Sequence, residues 1–530
     1  MTTSPSPLLL PLPARTNFTS CVFQLDPQTC ILTDDANLDN AAYLASFLRL
    51  PTGFKLLIQS IPEPSGKAIH LRCSEEDSLP REGYRLLVTP EEIFIQAPGP
   101  AGVFYGIQSL RQLLPVEIER KQPVTDLVWQ VPCLSLRDEP RFPWRGFMLD
   151  EGRFFQGKET VLQMLDLMAL LKMNTFHWHL TEDQGWRIQI HRYPKLTEVG
   201  AWRAGSARGF IGRSDGIPHG GFYSQADIQE VLAYATARHI QVVPEIDIPG
   251  HSLAALAAYP QYSCTGGPFT VSQRIGIFPE LYCAGKEETF TFLFNILDEV
   301  MDLFPSPYIH IGGDETPRKR WKACPDCQER IRREDLGDEI GLKVYFANRI
   351  AAHLSKRKRI LLGWSEILNP GLDRNTLVEY WIGHPRKLIE AMQHGQDVIM
   401  STYRQTYLDH SYSLTPLSKA YAFEPVFPGL DEETARHILG LEGLLWSEFV
   451  PDRKRLDYQV FPRLCAFAET GWTPKANKDL IDFQRRLTGF ESRLDELGVA
   501  YARPWQTEPP GLKRLFGNFT IAQSQTRIAD

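Results

Sequence analysis

The sequence predicts an α/β protein: a (β/α)8 TIM-type barrel preceded by a smaller α+β domain. Three observations predict it. From Trp144 onward short apolar strands alternate with amphipathic helices, eight of each, the rhythm of a closed parallel barrel. Nearly every one of those strands ends in polar or aromatic residues, as barrel strands do at the mouth that carries the chemistry. Between residues 17 and 140 strands and helices mix without that alternation.

Taken in order, residues 1–16 are rich in Pro and Ser and are expected to form a disordered tail. Leu8-Leu9-Leu10 is hemmed in by Pro7, Pro11 and Pro13, and no basic residue precedes it, so no secretory leader is expected. Residues 17–140 form the α+β companion domain. There Tyr84–Val88 and Ile93–Ala97 read as two strands joined by a polar turn, followed by a helix over Ala101–Leu114. Residues 141–475 form the barrel. Its strands are expected at Arg145–Leu149, Asn174–Leu180, Ile240–Ile246, Tyr308–Gly313, Ile360–Trp364, Leu377–Trp381, Asp397–Ser401 and Gly443–Trp446. Helices fall between them, among them Thr160–Lys172, Ser224–His239, Glu287–Phe304 and Asp338–Lys358. Residues 476–530 are a C-terminal helix, Asp479–Leu497, packing on the barrel, and a tail.

Bulk composition narrows the function. A chain of 530 residues, 43% apolar and 23% charged, is a globular protein of more than one domain. A net charge of -7 gives no nucleic-acid surface, and Lys356–Arg359 reads as a solvated helix end. No stretch reaches the roughly 20 apolar residues that span a bilayer. The nine cysteines are scattered and odd in number, which suits reduced thiols and a cytoplasmic location. The sequons at Asn17 and Asn518 are then chance matches.

The chemistry gathers at the strand ends. Strand one ends at Asp150, with Arg153 beyond it; strand two in His177-Trp178-His179-Leu180-Thr181-Glu182-Asp183; strand three in Glu245-Ile246-Asp247 and then His251. Strand four ends in Gly312-Gly313-Asp314-Glu315, strand five in Trp364, strand six in Trp381 and strand eight in Trp446-Ser447-Glu448. Two glycines before the Asp-Glu pair let the backbone turn sharply. Two carboxylates so close repel, so one is held protonated beside an ionised partner, which is what glycoside cleavage needs. Three tryptophans can wall a pocket for the apolar face of a pyranose and an acetamido methyl.

The stretches Arg145–Asp150 with Arg153, Asn174–Arg187, Pro244–Ser252, His310–Glu315, Gly363–Glu366 and Trp446–Glu448 resemble glycoside hydrolase family 20, the β-N-acetylhexosaminidases. The resemblance covers roughly residues 80–475. It implies exo-acting, retaining, substrate-assisted catalysis on a small-molecule or oligosaccharide substrate with a terminal β-N-acetylhexosamine, with no cofactor. The substrate's own 2-acetamido oxygen attacks the anomeric carbon and an oxazolinium ion forms. By resemblance Glu315 is the general acid and base, and Asp314 holds the acetamido N–H. Tyr407 bonds the acetamido oxygen, while Trp364, Trp381 and Trp446 wall the pocket. Arg153, Asp409 and Glu448 grip sugar hydroxyls; Asp183, Asp247 and His251 support the acid. The chain departs from the family's usual Ser-Pro at Ser401-Thr402, on the approach to Tyr407 and Asp409, and from its Asp-Asp at Glu182-Asp183. The second departure leaves open which acid supports the site.

Two other readings differ in kind. A standard retaining β-glycosidase would use carboxylates from two strands, such as Glu245 and Glu315; a sugar-binding barrel without catalysis would need neither. The Trp cage argues against the first and the intact Asp314-Glu315 pair against the second. No metal is expected. His177 and His179 share a strand face but lack an obvious third ligand. Cys324-Pro325-Asp326-Cys327 is a CxxC with no second pair at zinc-site spacing, and reads as a pair on a surface loop.

Overall fold

A computed structural model describes residues 8–60, 66–74, 78–207 and 212–510. The eight expected strands are the staves of one closed parallel barrel. They run Trp144–Asp150, Thr175–His179, Gln241–Glu245, Tyr308–His310, Ile360–Trp364, Leu377–Tyr380, Val398–Met400 and Ile438–Leu445, and the eighth closes on the first. The fourth strand stops at His310, short of the expected Gly313, because Gly312 and Gly313 turn to φ 63° and 87°. The eighth starts five residues earlier than expected. Its Gly440 abuts the first strand so closely that a Cβ there would lie 1.8 Å from the Trp144 carbonyl oxygen.

Inward-facing residues repeat every second position along a strand, so the interior is layered. Trp144, Val243, Leu362, Leu377 and Ile399 pack an apolar lower plug. Two residues further along, Glu245 and Glu379 join His177, His310 and Glu442 in a buried charged layer. Another step up, Met148, Trp364 and Leu444 pack with Tyr407 and Trp446 beneath the mouth.

Charges that deep persist only when paired and hydrogen-bonded. Glu442 takes a hydrogen bond from Trp144 Nε1 at 2.9 Å and meets His177 Nδ1 at 2.7 Å. Gly146 makes room for it, since a Cβ there would lie 2.1 Å from Glu442 Oε2. Burial disfavours a charge on His177, but Glu442 and Glu245 outweigh that and lift its pKa to about 10.

The preceding domain is a seven-stranded mixed sheet carrying the helices Leu38–Thr52 and Pro100–Leu113. It is fastened to the barrel by buried ion pairs. Lys172 donates to Asp138 at 2.8 Å and to Tyr84 OH at 2.7 Å, and Arg145 donates to Glu82 at 2.9 Å. The C-terminal helix, Leu480–Glu496, packs across both units: Arg486 pairs with Glu469 and Arg493 with Glu119, each at 2.7 Å.

The expected disordered tail over 1–16 is corrected where it is described. Residues 8–14 are packed and the strand Arg15–Gln24 follows. Leu9 and Leu10 are buried, Leu10 N–H donates to Gln112 Oε1 at 2.9 Å, and Arg486 donates to the Leu9 carbonyl at 2.9 Å. The prolines do bar regular structure, yet the leucines between them bury enough apolar surface to anchor the segment. Residues 1–7, the tail beyond 510 and the Asn518 sequon lie outside the described residues.

Candidate active site

The mouth of the barrel holds a cavity of about 430 Å³ lined by Arg153, Asp314, Glu315, Trp381, Tyr407, Asp409, Trp446 and Glu448 among others. Trp364 lies beneath, packed in the same cluster as Tyr407 and Trp446. Thus all nine residues expected to touch a ligand sit in or directly under one cavity. The three expected to support them, Asp183, Asp247 and His251, are buried behind it.

The Asp314–Glu315 loop is set by backbone conformation. Gly312 and Gly313 are left-handed, and Glu315 itself has φ 40°, a conformation that costs a non-glycine residue energy. A Cβ on Gly312 would meet Asp247 Oδ1 at 1.9 Å, so only glycine lets Asp247 reach in. That same Asp247 oxygen accepts the Gly313 N–H at 3.3 Å, and Glu366 accepts the Glu315 N–H at 3.1 Å. The loop therefore turns both carboxylates into the mouth, four and five residues past the strand end.

The two acids differ in surroundings. Asp314 is buried; loss of water lifts its pKa, the neighbouring Glu366, Glu245 and Glu315 add to that, and His251 opposes them, for a value of about 7. The Glu315 side chain stays 33% exposed, at the rim, where a leaving group would depart. His251 stands behind them, its Nε2 3.4 Å from Glu315 Oε2 and 3.8 Å from Asp314 Oδ2. Its Nδ1 faces Glu182 at 3.1 Å and Asp183 at 3.3 Å. Burial disfavours the imidazolium, but the facing carboxylates win and raise the pKa well above 6.5.

At the other end of the cavity Arg153 is held by three acids: Asp150 at 3.0 Å, Glu182 at 2.6 Å and Glu448 at 3.4 Å. Its guanidinium lies 4.9 Å above the Trp446 ring. Asp409 is near Glu448, and burial followed by that like charge raises its pKa well above the ordinary range. The aromatic wall is continuous: Trp381 stacks on Tyr407 at 6.1 Å, and Tyr407 neighbours Trp446 at 6.3 Å. The stretch after Ser401-Thr402 reaches the cavity because it pairs with the eighth strand, Leu408 N–H to the Leu444 carbonyl at 2.7 Å.

Sequence reasoning left one contributor open between two acids and gave two others no supporting role. Glu182 joins the two halves of the site, since it bonds both Arg153 and His251; its neighbour Asp183 shares only the histidine and caps Leu253 N–H at 2.9 Å. Glu366, in the Gly363–Glu366 stretch, holds the Glu315 backbone. Glu245 is fully buried under Trp364, whose Nε1 donates to it at 2.9 Å, and it also meets His179 and His310. So placed, it cannot reach a sugar.

The profile of the glycosyl hydrolase family 20 catalytic domain matches residues 142–475, and that of family 20 domain 2 matches residues 6–139. The chain belongs to glycosyl hydrolase family 20. It therefore carries the catalytic domain of a glycoside hydrolase. Among similar family 20 proteins, a β-hexosaminidase of Porphyromonas gingivalis is 41% identical over 516 residues, 95% of this chain. The chain spans 65% of that relative's length. A β-hexosaminidase of Akkermansia muciniphila is 36% identical over 81% of this chain and 88% of its own. The crystal structure of a family 20 exo-β-N-acetylglucosaminidase of Vibrio harveyi, complexed with N-acetylglucosamine, superposes with a TM-score of 0.83. It is 31% identical and covers 95% of this chain and 80% of its own.

One expectation about this family 20 chain is corrected. Cys324 and Cys327 are not on a surface loop: both are buried, and they face Cys283 and Cys264. Those partners come from the loop after the third strand, 19 positions apart from each other and the nearer one 41 positions before Cys324, too far for spacing to show. The two histidines of His177-Trp178-His179 each meet a carboxylate of the barrel, His177 that of Glu442 and His179 that of Glu245.

Proposed function

We propose that the protein is an exo-acting, retaining β-N-acetylhexosaminidase that releases terminal N-acetylglucosamine or N-acetylgalactosamine with help from the substrate's own acetamido group. The observation that carries this reading is the placement of Asp314 and Glu315, adjacent in sequence, at one mouth of a small aromatic cage. A standard retaining pair needs carboxyls about 5 Å apart on opposite faces of the bond. Here both acids leave the same loop, and Glu245, the expected rival nucleophile, is sealed beneath Trp364.

In this reading Trp364, Trp381 and Trp446 enclose the acetamido group and press its oxygen toward the anomeric carbon. Tyr407 donates its hydroxyl hydrogen to that oxygen, and Asp314 accepts the acetamido N–H. As positive charge spreads over the forming oxazolinium ring, the ionised Asp314 neutralises it in a site shielded from water. Glu315 protonates the departing oxygen, then takes the proton of the water that opens the ring, which retains configuration. The cluster of Arg153, Asp409 and Glu448 binds ring hydroxyls and closes the cavity, so only a chain end fits.

Net charge and composition give no support for a nucleic-acid ligand, and no helix among the described residues is long and apolar enough to cross a membrane. Nine unpaired cysteines support a reducing compartment, and we place the protein in the cytoplasm. The test is a pair of aryl glycosides differing only at C2. Hydrolysis of the β-N-acetylglucosaminide with no turnover of the β-glucoside is expected; comparable rates on both would overturn the reading.

A further inference from the structure

We propose that Cys264, Cys283, Cys324 and Cys327 bind one zinc ion in a closed, structural tetrahedral site that fastens together the two loops behind the catalytic acids. Four sulfurs converge here from three places in the chain, all within 4.8 Å of one another. Three pairs are 3.9 Å (Cys264–Cys327), 3.7 Å (Cys283–Cys324) and 3.6 Å (Cys283–Cys327) apart. A tetrahedron of thiolates at the usual zinc–sulfur bond of about 2.3 Å has edges of about 3.8 Å. Disulfides would need about 2.0 Å and would join the sulfurs in two exclusive pairs. Here Cys283 is instead equidistant, within 0.1 Å, from two partners.

The surroundings are built for such a cluster. Cys283 and its loop press directly on the Cys324–Cys327 turn, which requires Gly285: a Cβ there would lie 2.2 Å from the Asp326 carbonyl carbon and 2.4 Å from Cys327 N. Cys324 is the N-cap residue of the nine-residue helix Pro325–Arg333 and Cys327 lies in its first turn, so one element presents both sulfurs. Four thiolates and one Zn²⁺ leave a net charge of -2. Two cations stand beside it: Lys286 Nζ donates to the Ser263 carbonyl at 2.9 Å, and buried Arg330, which also pairs with Glu287 and Glu334, donates to the Gly285 carbonyl at 3.1 Å. Neutral thiols are weak donors and acceptors, so four of them would gain little from being gathered and buried together. All four positions are protein sulfur, which leaves no open place for substrate or water and makes the site structural.

Its position gives it a task. Cys264 and Cys283 end the loop that carries Asp247 and His251, and Cys324 and Cys327 follow the loop that carries Asp314 and Glu315. Other bonds cross that junction, among them Trp321 Nε1 to the Tyr282 carbonyl at 2.9 Å and Arg320 Nε to Glu280 Oε1 at 3.1 Å. A metal clip at the junction fixes the distance from His251 to Glu315. The assignment does not rest on the proposed reaction.

The test is elemental analysis of the intact protein, purified without metal-affinity tags and dialysed against metal-free buffer. One zinc per chain is expected, released in step with modification of four thiols by an organomercurial and read with a metallochromic dye. Cys264→Ser, at the partly exposed edge of the cluster, should lose the metal and lower Tm, while Cys465→Ser, elsewhere in the core, should keep it. Three results would each overturn the proposal: wild-type protein without metal in which these cysteines react as free thiols, peptide mapping that finds them in disulfides, or iron in place of zinc.

Discussion

His251 bridges the buried and reactive parts of the site: its Nδ1 lies 3.1 Å from Glu182 while its Nε2 lies 3.4 Å from Glu315. Since Glu182 also pairs with Arg153 at 2.6 Å, one carboxylate ties the sugar-gripping arginine to the group behind the acid. The left-handed backbone of His251, φ 46°, is held in place by this network. A ligand that moves Arg153 is thus felt at Glu315 through three contacts.

Glu315→Gln should cut kcat/KM for chitobiose by about 10²–10⁴-fold, the usual worth of a general acid. An aryl glycoside with a good leaving group should lose less in the glycosylation step, because that departure needs little protonation. Binding of a thiazoline analogue of the oxazolinium ion should survive. Steady-state rates on both substrates and an inhibition constant check this; equal losses on both would remove Glu315 from the role.

Gly312→Ala should disable the enzyme without unfolding it. The new methyl would meet Asp247 Oδ1 at 1.9 Å and sit on a backbone at φ 63°. The Asp314–Glu315 loop is the element free to yield, so kcat should fall at least tenfold while circular dichroism and the elution volume stay unchanged. Wild-type turnover would show that the loop's position is not set here.

How much of this was legible in the sequence follows from what each signal depends on. All eight strands could be read because a parallel barrel strand is a short apolar run with helices on either side, a local pattern. Tyr308–Gly313 was overextended because glycine is silent about φ until its neighbours are known. The Asp314-Glu315 pair and the three tryptophans were visible because they end strands. Glu182 was not distinguished from Asp183, since which of two adjacent acids reaches Arg153 depends on the turn that follows. The buried layer of His177, Glu245, His310, Glu379 and Glu442 was invisible as a unit: its members are spread over 266 positions and only closure of the barrel joins them. The same holds for the four cysteines, of which only the CxxC end is local. Residues 8–14 were misjudged because proline reports the absence of regular structure, and Leu9 and Leu10 needed no regular structure to be buried.

Trp364→Phe separates the two jobs of that residue. The ring remains, so the cage keeps its apolar wall, but the 2.9 Å hydrogen bond to Glu245 is lost. A buried acceptor left short of a donor costs about 1–3 kcal/mol. Thermal or denaturant unfolding should show that loss, with KM for an aryl β-N-acetylglucosaminide changed less than threefold. No change in stability would mean that water or His310 takes over the bond.

Asp314→Asn tests the electrostatic design most directly, because it should harm catalysis and help folding. Burial and three nearby carboxylates push the Asp314 pKa up to about 7 against 3.8 for the free side chain. A carboxyl whose pKa is raised by folding binds its proton more tightly in the native state. Its contribution to stability is present in full below the unfolded pKa and shrinks as pH climbs from about 4 toward 7. Removing the charge while keeping the shape should therefore raise Tm over wild type at pH 8, and the difference should vanish near pH 4. Activity should move the other way. In the proposed mechanism the ionised carboxylate neutralises the oxazolinium ion, and loss of such a preorganised charge costs about 10²–10³ in kcat. Wild-type kcat/KM should also fall on the acid side as Asp314 takes up its proton, with a limb near pH 7 that the variant lacks. Melting curves at the two pH values and pH–rate profiles of both proteins decide the point. A variant no more stable at pH 8, or one that keeps the wild-type acid limb, would show that Asp314 is not the strained charge at this site.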